Sequence, residues 1–180
     1  TFSHCTSLTS ITIPDSVTSI GGGAFTNCTS LKDTYVNITD LAAYATNNPM
    51  GQIDDNKHLL VNGIEITELV IPNSVTSIGE RAFNGCTSLK SVTIPDSVTS
   101  IGGSAFYNCT SLTSITIGNS VTSIGKHAFS YCTGELTVNS NIPSVSSYEY
   151  SAFYRSNFTK VTIGNSVTSI GKYAFCYCTL

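Results

Sequence analysis

The chain has 180 residues, only 11% of them charged, with 8 Lys and Arg against 11 Asp and Glu and a net charge of -3 at pH 7. Such a composition supplies no basic stripe to neutralise a run of phosphates, which excludes nucleic acid as a partner and charge-driven docking on anionic lipid. The longest apolar runs, such as Leu59-Leu60-Val61, fall far short of the ~18 residues of a membrane span, so no direct membrane insertion is expected.

The string Ser-Val-Thr-Ser-Ile-Gly occurs five times unchanged, starting at Ser16, Ser74, Ser97, Ser120 and Ser166, in steps of 58, 23, 23 and 46. These steps reduce to one period of 23, doubled where a unit has lost the string and lengthened where a unit of 35 intervenes. A fixed period of this size marks a repeat array, in which each unit buries its apolar side only by stacking on its neighbours. The expectation is one solenoid domain over 1–180. It comprises a partial unit 1–7, a regular unit 8–30, an enlarged unit 31–65, regular units 66–88, 89–111 and 112–134, a slipped unit 135–157 and a last unit 158–180. Thr1-Phe2 matches the second half of a unit, Leu180 is the last position of another, and neither carries a polar cap. A segment of a longer protein, or a unit stacking end to end on copies of itself, is expected.

The regular unit is read from 89–111. Val92, Thr93 and Ile94 alternate apolar, polar, apolar, which predicts a short strand with one buried face. Pro95 lacks an amide hydrogen and stops the strand, Asp96-Ser97 turns the chain, and Val98 and Ile101 point back inside. After Gly102, which can supply a left-handed angle, Ala105, Phe106 and Cys109 have the spacing of one or two turns of a helical or 3₁₀ segment. The enlarged unit opens with a strand at Thr34-Tyr35-Val36. Thr39 or Asp40 then caps a helix through Leu41–Ala45, halted before Pro49. Leu59-Leu60-Val61, Asn62-Gly63 and Ile64-Glu65-Ile66 read as a two-residue β-hairpin. The slipped unit keeps Leu136 and Val138 as its strand pair and Phe153 near the expected Phe.

The pattern Leu-x-x-Val-x-Ile-Pro-x-Ser-Val-x-x-Ile-Gly-x-x-Ala-Phe-x-x-Cys-x-x-Leu, read from Leu89 through Leu112, resembles the BspA-type leucine-rich repeat across essentially the whole chain. The resemblance implies an α/β leucine-rich-repeat solenoid, with a parallel β-ladder on the concave side and short helical or 3₁₀ segments on the convex side. This unit occurs in surface and secreted proteins of host-associated bacteria and some parasitic protists. By the same resemblance the chain is an extracellular or cell-surface adhesion or binding module, not an enzyme. Its partners are then protein or glycan on host or microbial surfaces. A self-assembling filament unit stacking end to end is the alternative.

Alternation sends Ile11, Ile13, Val92, Ile94, Ile115, Ile117, Val161 and Ile163 inward, so the open side of the ladder is expected to carry Ser10, Thr12, Ser91, Thr93, Ser114, Thr116, Lys160 and Thr162. This polar, nearly uncharged face is the candidate contact surface, joined at one edge by Tyr44, Asn47, Asn48 and His58 of the enlarged unit. Cys5, Cys28, Cys86, Cys109, Cys132 and Cys178 share one position of successive units and are expected to stack in the core as a thiol ladder. Cys176-Tyr177-Cys178 lacks the second ligand cluster a metal site needs. The acidic Asp54-Asp55-Asn56 lacks the spaced carboxylates of a calcium loop. His4, His58 and His127 share no spacing with a nucleophile, and no Gly-x-Ser-x-Gly elbow appears. No catalytic residue, metal or cofactor is expected.

Overall fold

The structure, a computed structural model, describes residues 2–14, 16–17, 20, 24–47 and 57–179. Wherever the sequence alternates it forms strands, and these pair as a parallel β-solenoid. In chain order they are β1 (Ser10–Ile13), β2 (Asp33–Ile38), β3 (Lys57–Val61), β4 (Ile64–Glu65), β5 (Glu68–Val70), β6 (Ser77–Ile78), β7 (Ser91–Ile94), β8 (Ser100–Ile101), β9 (Ser114–Ile117), β10 (Ser123–Ile124), β11 (Thr133–Val138) and β12 (Asn157–Ile163). Among the described residues a single α-helix, α1 (Leu41–Asn47), follows β2, and a 3₁₀ turn spans Tyr148–Tyr150.

The long strands line one face in two ladders, ordered β1-β2-β3-β4 and β12-β11-β9-β7-β5. Equivalent residues of successive units face each other, Ser91 against Ser114 and Ile94 against Ile117. The break between the ladders has a local cause. After β3 the chain reverses at Asn62-Gly63, both at positive φ, and β4 pairs antiparallel with Val61 opposite Ile64, closing the edge that a parallel neighbour would use. The expected hairpin is therefore present, and it splits the ladder.

A second wall comes from the repeated Ser-Val-Thr-Ser-Ile-Gly string itself. Its Ser-Ile pair forms the short ladder β10-β8-β6, with Ile101 between Ile78 and Ile124. The Gly that follows is needed for close approach, not for a left-handed angle: a Cβ on Gly102 would lie 2.5 Å from the Glu80 backbone nitrogen. Gly79 meets the same constraint against α1, where a Cβ would lie 2.6 Å from the Thr46 carbonyl oxygen.

The third wall, expected to be helical, is a run of tight turns. From residue 81 on, in the Ala-Phe-x-x-Cys segments the residue before Ala and the residue before Cys lie in the left-handed region, as in Ser104 (φ 53) and Asn108 (φ 60), or His127 (φ 58) and Tyr131 (φ 59). A left-handed residue every fourth position cannot extend a right-handed helix. The amides freed by these corners bond to the next unit instead: Phe83 N donates to Ala105 O, Phe106 N to Ala128 O and Phe129 N to Ala152 O, each at 2.7 Å.

Between the walls lies one continuous core. Phe83, Phe106, Phe129, Phe153 and Phe175 form a column of nearly parallel rings, with successive centroids 5.2, 5.1, 5.4 and 4.9 Å apart. Beside it three thiols donate to the carbonyl of the Phe one unit back: Cys109 to Phe83 at 3.2 Å, Cys132 to Phe106 at 3.0 Å and Cys178 to Phe153 at 2.8 Å. The slipped unit keeps this bond with a different atom, Ser156 Oγ donating to Phe129 O at 2.6 Å. Its strand also holds register, with Leu136 opposite Ile115 and Val138 opposite Ile117. A bulge at Gly134/Glu135 takes up the slip against β12.

Candidate functional site

The outward side chains of the second long ladder form two rows. One runs Glu68, Ser91, Ser114, Glu135, Lys160; the other runs Val70, Thr93, Thr116, Thr137, Thr162. Thr93, Ser114, Lys160 and Thr162 are exposed, and Ser91 and Thr116 are half-buried. Ser10 and Thr12 hold the same outward positions on β1 and are exposed. All eight strand-face candidates thus point to solvent. Lys160 pairs with Glu135 at 3.6 Å, an exposed pair of little energetic weight. The inward set differs at one place: Ile163 is 37% exposed, because only one side of β12 is covered by a paired strand.

The enlarged unit changes the chemistry of this face. Where β1 presents Ser10 and Thr12, β2 presents Asp33 and Tyr35, and β3 sets His58 beside Tyr35. The Tyr35 and His58 rings stack with centroids 4.8 Å apart. His58 Nδ1 lies 2.6 Å from Glu65 Oε1 on β4, and Nε2 lies 3.3 Å from Asp33 Oδ1. Both contacts form together only when both ring nitrogens carry protons, since an ionised carboxylate accepts and never donates. Asn37, next along the face, accepts from the Gly63 amide at 2.9 Å and ties the hairpin turn to β2. The result is a charged and aromatic clasp on a surface of hydroxyls. His58 was expected at this edge, but its partners Asp33, Tyr35 and Glu65 were not, because they converge only through the strand register.

Tyr44 does not belong to this surface. As Asp40 Oδ1 accepts from the Ala43 amide at 3.0 Å, α1 starts in a phase that turns Tyr44 inward onto Phe83, with ring centroids 5.8 Å apart. It is 4% exposed and unable to meet a ligand. Asn47 ends α1, and Asn48, like Asp54-Asp55-Asn56, lies outside the described residues.

The cysteines divide by depth. Cys86, Cys109 and Cys132 are buried, Cys28 and Cys178 are half-buried, and Cys5, expected inside the ladder, is exposed. Burial pushes the Cys86 and Cys109 thiols well above their ordinary range, with Lys57 opposing, and lifts Cys178 to about 11. Cys176 is half-buried and unbonded to Cys178. Among the described residues, no group of three His, Cys, Asp or Glu is placed to hold a metal ion, and no helix is long and apolar enough to cross a membrane.

A parallel ladder that stacks near-identical units and offers an open row of side chains defines a solenoid scaffold of the leucine-rich-repeat class. Residues 1–49 and 56–180 match the BspA type leucine rich repeat region in six copies, and the chain belongs to that family. Among solved structures, it is similar to a leucine-rich repeat protein from Eubacterium ventriosum at 17% identity and a TM-score of 0.42, covering 97% of this chain and 60% of that one. A leucine-rich repeat protein from Bacteroides ovatus matches at 20% identity and a TM-score of 0.35, over 98% and 67% of the two chains. A leucine rich cell surface protein from Faecalibacterium prausnitzii matches at 23% identity and a TM-score of 0.28, over 94% and 65%. The chain therefore spans about 60% of the first of these. No curated protein matches it.

Proposed function

We propose that this chain is a non-enzymatic binding or adhesion module of a cell-surface or secreted protein, recognising protein or glycan through its long-strand face. The observation that carries the reading is the clasp of Asp33, Tyr35, His58 and Glu65 set into rows of outward Ser and Thr. The rows supply many modest hydrogen bonds on a rigid backbone, and the clasp supplies a charged, aromatic anchor of the kind that dominates binding energy. Membership of a family that resembles surface proteins, and the name of the Faecalibacterium prausnitzii structure, support a location outside the cell.

Capture from host and microbial surface extracts tests the reading, with wild type compared against Tyr35→Ala with His58→Ala and against Thr93→Glu with Thr116→Glu. Capture is expected to fall in both double variants, and prior protease or periodate treatment of the extract separates protein from glycan partners. Equal capture by all three chains would remove the strand face from the function.

A further inference from the structure

The turn wall, on a different side of the solenoid from the strand face, holds a cavity of about 540 Å³. Three successive units line it: Arg81 and Asn84, then Ser104, Tyr107 and Asn108, then His127 and Tyr131. Its size falls within the range of small-ligand sites. Arg81, Ser104, Asn108, His127 and Tyr131 all sit at positive φ. Asn adopts that region readily, whereas Arg and Tyr enter it at a cost of about 1 to 3 kcal/mol each.

A row of rings continues from the cavity along the wall. Tyr107 meets Tyr131 edge to face at 5.3 Å, His127 meets Tyr154 at 5.4 Å, Tyr154 meets Tyr177 at 5.6 Å, and Tyr177 meets Tyr148 at 5.5 Å. Tyr177 is 61% exposed. The chain has nine tyrosines, and all but Tyr35 and Tyr44 belong to this half of it, from Tyr107 onward. Core packing does not call for them, since the Phe column already fills the interior.

We infer that the turn wall is a second binding site, separate from the strand face, and that its ligand is an oligosaccharide. Among the described residues, no aliphatic side chain and no carboxylate lines the cavity, so an apolar peptide anchor finds nothing to bury against. A pyranose matches the lining: its C–H face lies on a tyrosine ring, and its rim of hydroxyls meets two amides, a hydroxyl and a guanidinium, groups that pair with adjacent hydroxyls. Burial and Lys126 hold His127 below its ordinary range, against the pull of Glu149. With Nδ1 engaged 3.0 Å from Ser130 Oγ, the neutral ring that this shift favours leaves Nε2 to meet one sugar hydroxyl without adding charge. Beyond the cavity, the half-buried ring of Tyr154 and the exposed ring of Tyr177 extend the platform for further sugar units.

Affinity electrophoresis in native gels containing a mannan, a xylan, a β-glucan, an α-glucan or a polygalacturonate tests this site. Two substitutions remove rings without disturbing the backbone, because neighbouring units already carry the new residue at the same position. Tyr107→Ser copies Ser130, and Tyr131→Asn copies Asn108. Retardation of wild type in at least one gel is expected. It should weaken about tenfold in each variant, the share of one aromatic contact, with melting unchanged. Migration unaffected by every polysaccharide would overturn the site, as would equal retardation of Tyr131→Asn. Tyrosine-dependent capture of peptides with no polysaccharide bound would overturn the carbohydrate assignment.

Discussion

The regular units between Ile66 and Tyr131 and the enlarged unit before them meet the same packing demand with different parts. In the regular units a Phe sits flat on the Phe of each neighbour, as Phe106 does between Phe83 and Phe129 at 14° and 7°. In the enlarged unit α1 packs beside β6, and Tyr44 meets Phe83 tilted by 52°. The strand position held by Ile11 and Val92 becomes Thr34 and then Lys57, both buried. Repetition thus gives close, uniform packing, and its interruption gives up some packing to place charge and aromatic groups outside. Polar groups accumulate on both sides of the same irregular unit: Thr34 and Lys57 within, Asp33 and His58 without.

The sharpest way to break this contrast is Phe106→Ala, which empties the middle of the ring column and is expected to cost about 3 to 5 kcal/mol in urea unfolding. A loss below about 1 kcal/mol would show that the column is not the main source of cohesion. Next in size is Gly102→Ala, whose Cβ meets the backbone of the unit before it at 2.5 Å. Forcing the units apart is expected to cost about 1 to 3 kcal/mol, read as a lower melting temperature. The smallest effect has the opposite sign. Among the described residues the buried Tyr44 hydroxyl has no hydrogen-bond partner, so Tyr44→Phe, which restores the ring type of the regular units, should stabilise the chain by about 1 kcal/mol. Unchanged or lower stability would mean that the enlarged unit is not the weaker packer at this position.

How much of this was legible in the sequence follows the length scale of each signal. The long strands were readable because Val92-Thr93-Ile94 alternates and Pro95 stops the run, and the hairpin was readable from Asn62-Gly63. The short ladder was not, because Ser100-Ile101 is too brief for alternation to show, and only stacking turns a two-residue extended segment into a sheet. The turn wall, expected as short helical or 3₁₀ segments, forms tight turns; apolar spacing at Ala105, Phe106 and Cys109 fits a helical segment and a chain of turns equally. What decides between them is the sign of φ at Ser104 and Asn108, which composition does not announce. The face rows were visible in the alternation, whereas the clasp depends on β3 pairing with β2 in one register and on β4 folding back to bring Glu65 to His58. The row of tyrosines was in plain sight in the sequence. Tyr131, Tyr154 and Tyr177 stand 23 residues apart and so share one position of the repeat, and it is the turn geometry that sets their rings edge to face along the wall.

Seven cysteines without a disulfide would ordinarily make a polypeptide prone to scrambling and cross-linking in an oxidising medium. Exchange proceeds through the thiolate, and the hydrogen that Cys109 gives to the Phe83 carbonyl keeps its sulfur in the unreactive form while the neighbouring coils shut out any attacking reagent. For Cys109 and Cys132 the element that fastens coil to coil is thereby its own antioxidant shield, a sealed seam with no covalent stitching, whereas Cys5, Cys28, Cys176 and Cys178 lie nearer the surface and lack that cover.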